Sequence, residues 1–297
     1  METFRQLRDT YKFPSPSGFV DTATPRIKLF WSTEKIDRTP LLPDLGIVIM
    51  LSGRKTAYLD DRQVDYDEDN YLVVSAPVPF ECASNATERE PLLGISVDID
   101  LPTLNRFASI SGAVPLDAAD AAEEPTILPL GLRPTPVDAG LSDVSRRLVQ
   151  TLFSPSDTQA LGTSLADEVV YRALKGRQGP TLLALTNQSS QHARIARAIS
   201  RIRRNVAAPH TVDDLALEAG MSVRSFHRAF VAVTALPPLQ YVKVVRLNLA
   251  MNLLRGGTRD VGKVARVVGY ESSSQFSREF KRHFSMLPGD VREGRGS

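Results

Sequence analysis

Residues 220–230 read GMSVRSFHRAF, and residues 269–280 read GYESSSQFSREF. Each has a glycine, a polar stretch and then Phe-x-Arg-x-Phe. Val212, Leu215, Ala216 and Gly220 match Val261, Val264, Ala265 and Gly269 at an offset of 49. After one inserted residue, Phe226, Arg228, Phe230 and Pro238 match Phe276, Arg278, Phe280 and Pro288 at an offset of 50. Glycine supplies a left-handed turn, and small Ala216 and Ala265 let two helices cross closely. Phenylalanines four apart share one helix face and anchor it, so Arg228 and Arg278 point the other way. Thr211 with Asp214 resembles a capping box, and Ser222 suits an N-cap. Pro237 and Pro238 suit a helix start, and Gly256-Gly257 stops the long helix that follows. The repeat predicts helix-turn-helix units over about 211–233 and 260–284.

Charge separates this part of the chain from the rest. The 297 residues carry a net charge of only +2, but from Ser189 onward 18 Lys/Arg face 8 Asp/Glu, a net of +10. The preceding residues carry 18 against 26, a net of −8. A basic half beside an acidic one points to a polyanion met by the second half alone. A helix-turn-helix reads sequence by laying its second helix in the major groove, where Arg bonds guanine and Gln bonds adenine. A basic, all-helical bundle whose repeat merely packs is the competing reading.

The first half reads as strands and tight turns. RIKLFWS, GIVIML, TAYL, VDY, YLVVS, FECAS and LLGISVDI lie between Arg26 and about Asp100. They are separated by Gly53, Asp60-Asp61, the 67–70 turn and the Pro77/Pro79 pair, a pattern that favours a barrel or sandwich. Leu101–Ile110 reads as a short helix, and 111–136 as an irregular connection. Val137, Leu141, Val144, Leu148 and Leu152, then Leu161, Leu165, Val169 and Ala173, recur at helical spacing on either side of Pro155. Those helices either pair with a second subunit or pack on the strands. Lys175–Pro180 opens a linker whose continuation, TLLALTNQSS, has no strong period. The boundaries expected are a first domain over 1–180, a linker over 181–191 and a DNA-binding domain over 192–297.

Enzyme chemistry finds no support in the residues. His192, His210, His227 and His283 all lie beyond the strands, leaving the first half without the commonest nitrogen ligand. Phosphate-loop, nucleophile-elbow and Cys/His metal spacings are missing from the sequence. No catalytic residue, metal or cofactor is therefore expected. The N-terminus has no apolar signal-peptide core, no run approaches a membrane span, and a single cysteine fits a reducing cytoplasm. A cytoplasmic protein is expected. An aromatic-lined interior can still hold a small molecule. Trp31, Tyr58, Tyr66, Tyr71 and Phe80, with Cys82, are candidates for lining it, although each also fits plain core. Cys82 admits an alternative reading as a redox or electrophile sensor.

Through DDLALEAGMSVRSFHRAF, PLQYVKVVRLNLAMNLL and VARVVGYESSSQFSREFKRHF, residues 195–292 resemble the DNA-binding domain of the AraC/XylS family of bacterial transcription regulators. Residues 20–175 more loosely resemble the N-terminal domain of one branch, through GRKTAYLDDRQVDYDEDNYLVVSAPVPF and PLLGISVDID. The resemblance implies an α+β multidomain chain: a cupin-like β-barrel with trailing helices, then an all-α domain with two tandem helix-turn-helix units. By position in the family motif, Arg224, His227 and Arg228 would reach base edges from the first unit. Ser273, Ser274, Gln275, Ser277 and Arg278 would do so from the second, the serines more by phosphate contact. Arg201, Arg203 and Arg204 would face solvent or phosphate. Ala235 and Ser285 depart from the glycine often found just past the recognition helices, which puts that turn in question. The implied function is a DNA-binding transcription regulator, an activator by family habit, with double-stranded DNA, RNA polymerase and an unknown small-molecule effector as partners. A homodimer through 137–175 is a further expectation. The alternative is a repressor or architectural protein whose barrel only dimerises.

Overall fold

Several strands of the first half are apolar on both faces, which requires a layer on each side of their sheet. The computed structural model describes residues 1–59, 62–111, 132–187, 190–255 and 257–291. It begins with helix α1 (Glu2–Tyr11) and strands β1 (Ser17–Asp21), β2 (Ile27–Ser32), β3 (Ile36–Leu41) and β4 (Gly46–Ser52). Next come β5 (Lys55–Leu59), β6 (Arg62–Tyr66), β7 (Asn70–Val74), β8 (Phe80–Ser84) and β9 (Leu92–Asp98). Helix α2 (Leu101–Ser111) precedes β10 (Leu132–Pro136), α3 (Ala139–Leu152), α4 (Pro155–Lys175) and α5 (Gly179–Thr186).

The strands form a six-stranded antiparallel sheet, β1-β2-β9-β4-β7-β10, and a four-stranded one, β3-β8-β5-β6. Ile27, Leu29, Ile47, Tyr71, Val73 and Ile95 of the larger sheet pack with Leu7, Leu141, Val144, Leu148 and Val169 of the helices. One step along the strands, Phe30, Met50, Leu72 and Val74 pack with Ala57, Tyr66, Phe80 and Cys82 of the smaller sheet. The aromatic ring of Phe30 lies where Gly94 has no side chain: a Cβ there would sit 2.1 Å from its Cζ. Among the described residues no ladder joins the two sheets, so the cupin-like domain is two facing sheets and not one closed barrel. Irregular registers between Ile36 and Thr39, and between Met50 and Ser52, break the ladders close to where the chain passes from one sheet to the other.

Three strands differ from the sequence reading, and all three are sheet edges. Strands β1, β3 and β10 each pair on one side only. An edge tolerates proline and charge because half its backbone groups face away from the ladder. The segments IDRTPL and LRPTP therefore carry little strand signal. Residues 132–136, expected in an irregular connection, pair with β7; the rest of that connection, 112–131, lies outside the described residues. The turn at Asp60-Asp61 also lies outside them. Helix α1 escaped the sequence reading because only Phe4 and Leu7 are buried along it.

The expected linker over 181–191 carries most of α5. Thr181, Leu182, Leu183, Ala184 and Leu185 are all buried, so the eight-residue helix has no polar face and no readable period. The apolar stripes of α3 and α4 pack on the chain's own large sheet, whereas Leu161 remains 53% exposed.

The second half is helical: α6 (Gln191–Arg204), α7 (Val212–Glu218), α8 (Val223–Thr234), α9 (Pro238–Arg255), α10 (Val261–Val267) and α11 (Ser273–Phe284), then a 3-10 turn at Pro288–Asp290. No single helix among the described residues is long and apolar enough to cross a membrane. The first unit shares a continuous buried cluster with the β domain. Tyr241 donates to the Pro77 carbonyl at 2.8 Å. His192 Nε2 lies 3.1 Å from the Ser75 carbonyl, which can only accept, so that nitrogen carries the proton.

Candidate nucleic-acid interface

The two units are built with the same parts. Thr211 caps α7 by accepting from the Asp214 N–H at 3.1 Å, and Asp260 caps α10 by accepting from Lys263 at 2.8 Å. Gly220 (φ 62°) and Gly269 (φ 89°) make the turns. The next residue in each, Met221 or Tyr270, donates back to Ala216 or Ala265 at 2.9 Å. Ser222 and Ser272 then cap α8 and α11 by accepting from Ser225 and Gln275. Phe226 and Phe230 are fully buried in one unit, as are Phe276 and Phe280 in the other. Ala235 (φ 61°) and Ser285 (φ 58°) both adopt the left-handed turn without glycine, and their N–H groups close it on Val231 and Lys281 at 2.8 Å. The departure from glycine therefore leaves the turn intact.

Arg224, His227 and Arg228 are exposed on α8, opposite the buried phenylalanines. On α11, Ser273, Ser274, Gln275 and Arg278 are exposed and Ser277 is half-buried. One neighbour of this second set escaped the sequence reading. Gln275 donates its amide to Glu279 Oε1 at 3.2 Å, while Tyr270 donates to the other carboxylate oxygen at 2.9 Å. Lys243 Nζ stands 3.6 Å from the same carboxylate. Burial pushes the Glu279 carboxyl up, but the bonds from Gln275 and Tyr270, with the charges of Lys243 and Arg282, hold it below the usual range. Glu279 thus stays ionised and orients Gln275. A lone Glu in a charged helix gives no sequence signal for that task.

Three arginines expected to face solvent or phosphate divide. Arg204 is exposed, whereas Arg201 pairs with Glu218 at 3.0 Å. Arg203 is a correction: it reaches the first domain, bonding the Pro43 carbonyl at 3.3 Å and pairing with Asp44. Asp44 lies in the connection between β3 and β4, so this is a contact between residues 159 apart.

The aromatic candidates of the first domain do not converge. Tyr71 faces the helices, where burial first and the charge of Asp138 second push its phenol up to about 12. Tyr58 lies under the Arg38 guanidinium, 4.6 Å from the ring centroid, in an open surface groove. Tyr66 and Phe80 are buried between the sheets. Trp31, stacked on Phe13 at 3.9 Å, and Cys82 border a cavity of about 280 Å³. Phe30, Lys55, Asn252 and Arg255 line it too, so it lies between the β domain and the end of α9. Lys55 is only 6% exposed, with its ammonium 4.9 Å from the Phe30 centroid. Nothing in its strand's sequence marks Lys55 as buried, because a lysine beside a turn normally reads as solvated. Among the described residues no group of three or more His, Cys, Asp or Glu side chains is placed to hold a metal.

Known proteins match both halves. Residues 23–181, more than half of the chain, match the family described as AraC-type transcriptional regulator N-terminus, and 215–294 match a helix-turn-helix domain. The HTH-type transcriptional regulator AlkR of Acinetobacter baylyi is 33% identical over 102 residues, 34% of this chain and 33% of its own length. The HTH-type transcriptional activator RhaS of Escherichia coli is 28% identical over 157 residues, covering 50% of this chain and 54% of RhaS. The chain thus spans a third to about half the length of these curated relatives, which are transcription regulators and not enzymes. The fold is similar to the apo form of a ToxT point variant from Vibrio cholerae, with a TM-score of 0.63 at 11% identity over 91% of this chain and 98% of ToxT. It is also similar to wild-type ToxT with an unsaturated fatty acid bound, with a TM-score of 0.61 at 13% identity over 92% and 93%. With a matched regulator domain ahead of a duplicated helix-turn-helix, the chain belongs to the AraC/XylS family of DNA-binding transcription regulators.

Proposed function

We propose that this regulator is a cytoplasmic activator whose grip on DNA is controlled by a small amphipathic acid held between its two halves. The supporting observation is Lys55, a buried ammonium in an apolar cavity, with no salt bridge among the described residues. A buried charge without a counterion is costly, and a ligand carboxylate would supply one. Arg255 places a second cation on the opposite wall, its pKa lowered by burial. ToxT, of similar fold, has been crystallised with an unsaturated fatty acid. The cavity touches α9, the helix joining the two units, so an occupant bears on both. Recognition of bases falls to Arg224, His227 and Arg228 in one unit and to Gln275 and Arg278 in the other, with Ser273, Ser274 and Ser277 on phosphates. Activation, by contact with RNA polymerase, follows the match to an activator. A second copy meeting residues 137–175 would use their outer faces, where Leu161 is exposed, since the rest of the apolar stripes is occupied.

Thermal melting with oleic acid and with its methyl ester tests the ligand. The acid should raise the midpoint by several degrees through mass action, and the ester should not. Lys55→Gln should remove the response while leaving DNA binding without ligand intact. Equal shifts from acid and ester, or none from either, would overturn the carboxylate reading.

A further inference from the structure

The two helix-turn-helix units have separate hydrophobic cores on one helix. Tyr241, Val242 and Val245 of α9 belong to the first core, which also holds Phe226 and Phe230. Leu247, Ala250, Met251 and Leu254 belong to the second, with Phe276 and Phe280. The handover falls between Val245 and Leu247, and Arg246 stands at that step. Apolar packing within each core does not by itself fix one unit's rotation against the other.

Arg246 reaches both. Its Nε donates to the Val206 carbonyl at 3.0 Å and one terminal nitrogen to Ala208 at 2.9 Å, both in the connection from α6 to α7 of the first unit. The other terminal nitrogen donates to the Gly269 carbonyl at 3.0 Å, in the turn of the second. The planar guanidinium holds these three acceptors in one fixed fan, which an ammonium cannot do. The same seam is closed sterically. A Cβ on Gly269 would lie 2.7 Å from the Ala207 carbonyl oxygen, so the first unit's connection rests directly on the second unit's turn.

We infer that Arg246 is a positioning residue that sets the spacing between the two recognition helices, and hence the half-site separation that this regulator accepts. The inference rests on the reading that α8 and α11 both enter DNA. Two helices on one face of a duplex must meet grooves about 34 Å apart, so a small rotation at the seam changes the spacer that fits.

The test measures binding of the full-length protein to duplexes whose half-sites are separated by the preferred spacer, or by one or two base pairs more or fewer. Wild type should show one sharp optimum. Arg246→Ala should lose about tenfold on the preferred spacer and flatten the profile, with binding to an isolated first half-site unchanged. Arg246→Lys keeps the charge and most of the stem, so it separates geometry from electrostatics and serves if the alanine variant does not fold; it should flatten the profile too. Gly269→Ala attacks the seam from the other side and should shift or broaden the optimum. A sharp profile retained in Arg246→Lys and Gly269→Ala, with affinity scaled equally at every spacer, would overturn the inference. Footprints confined to one groove in the wild type would instead sink the underlying two-helix reading.

Discussion

At the scale of single residues, the two recognition helices are alike in frame and unlike in chemistry. Arg228 and Arg278 hold matching places, each opposite a pair of buried phenylalanines. Arg228 has Arg224 and His227 exposed beside it, whereas Arg278 shares its face with serines and with a Gln275 held by Glu279. A site for one chain should therefore be asymmetric. Arg228→Ala is expected to relax base preference in one half of the site by about 1–3 kcal/mol, and Arg278→Ala to act in the other half more weakly. Selection from randomised duplexes with wild type and both variants measures this. Uniform weakening of all sequences by both substitutions would make the arginines phosphate clamps.

At the scale of elements, each recognition helix ends on a residue poorly suited to its backbone. Ala235 and Ser285 are left-handed, a conformation that costs an L-residue about 1–2 kcal/mol relative to its ordinary wells. Each persists because its N–H closes the helix on the residue four back and because packing continues on both sides. Glycine removes the steric cost and returns part of the gain as greater freedom of the unfolded chain. Ala235→Gly should therefore stabilise by about 0.5–1 kcal/mol. The urea midpoint should rise at unchanged slope; an unchanged or lower midpoint would show that the alanine methyl packs usefully.

At the scale of the whole molecule, the second unit also approaches the β domain, through α11. His283 of that helix is largely buried, its Nε2 without a hydrogen-bond partner among the described residues. Burial lowers its pKa below 6.5, and Glu81 of β8 pulls the other way without prevailing. The unfolded chain therefore binds a proton at a higher pH than the folded one does. The stability that His283 contributes is complete above about pH 6.5 and is lost as pH falls through the depressed folded value. Melting midpoints should drop below about pH 6.5, and His283→Leu should lessen that drop. An identical acid-side profile in the variant would assign the loss to other groups.

Helix-turn-helix architecture was legible in the chain because it is local. A cap, a glycine and two phenylalanines four apart lie within about twenty residues, and each constrains its own backbone whatever packs above it. Central strands were legible for the same reason, since burial on both faces leaves an unbroken apolar run such as YLVV. Edge strands β1, β3 and β10 were not, because what makes them strands is a neighbour far along the chain. Helix α5 is apolar all round, so only its tertiary surroundings distinguish it from a linker. The same holds for Arg203 at Asp44, Lys55 inside the cavity, Glu279 beneath Gln275 and Arg246 across the seam. Polar side chains follow no period, and the partners of these lie up to 160 residues away, so their tasks exist only once the chain has folded.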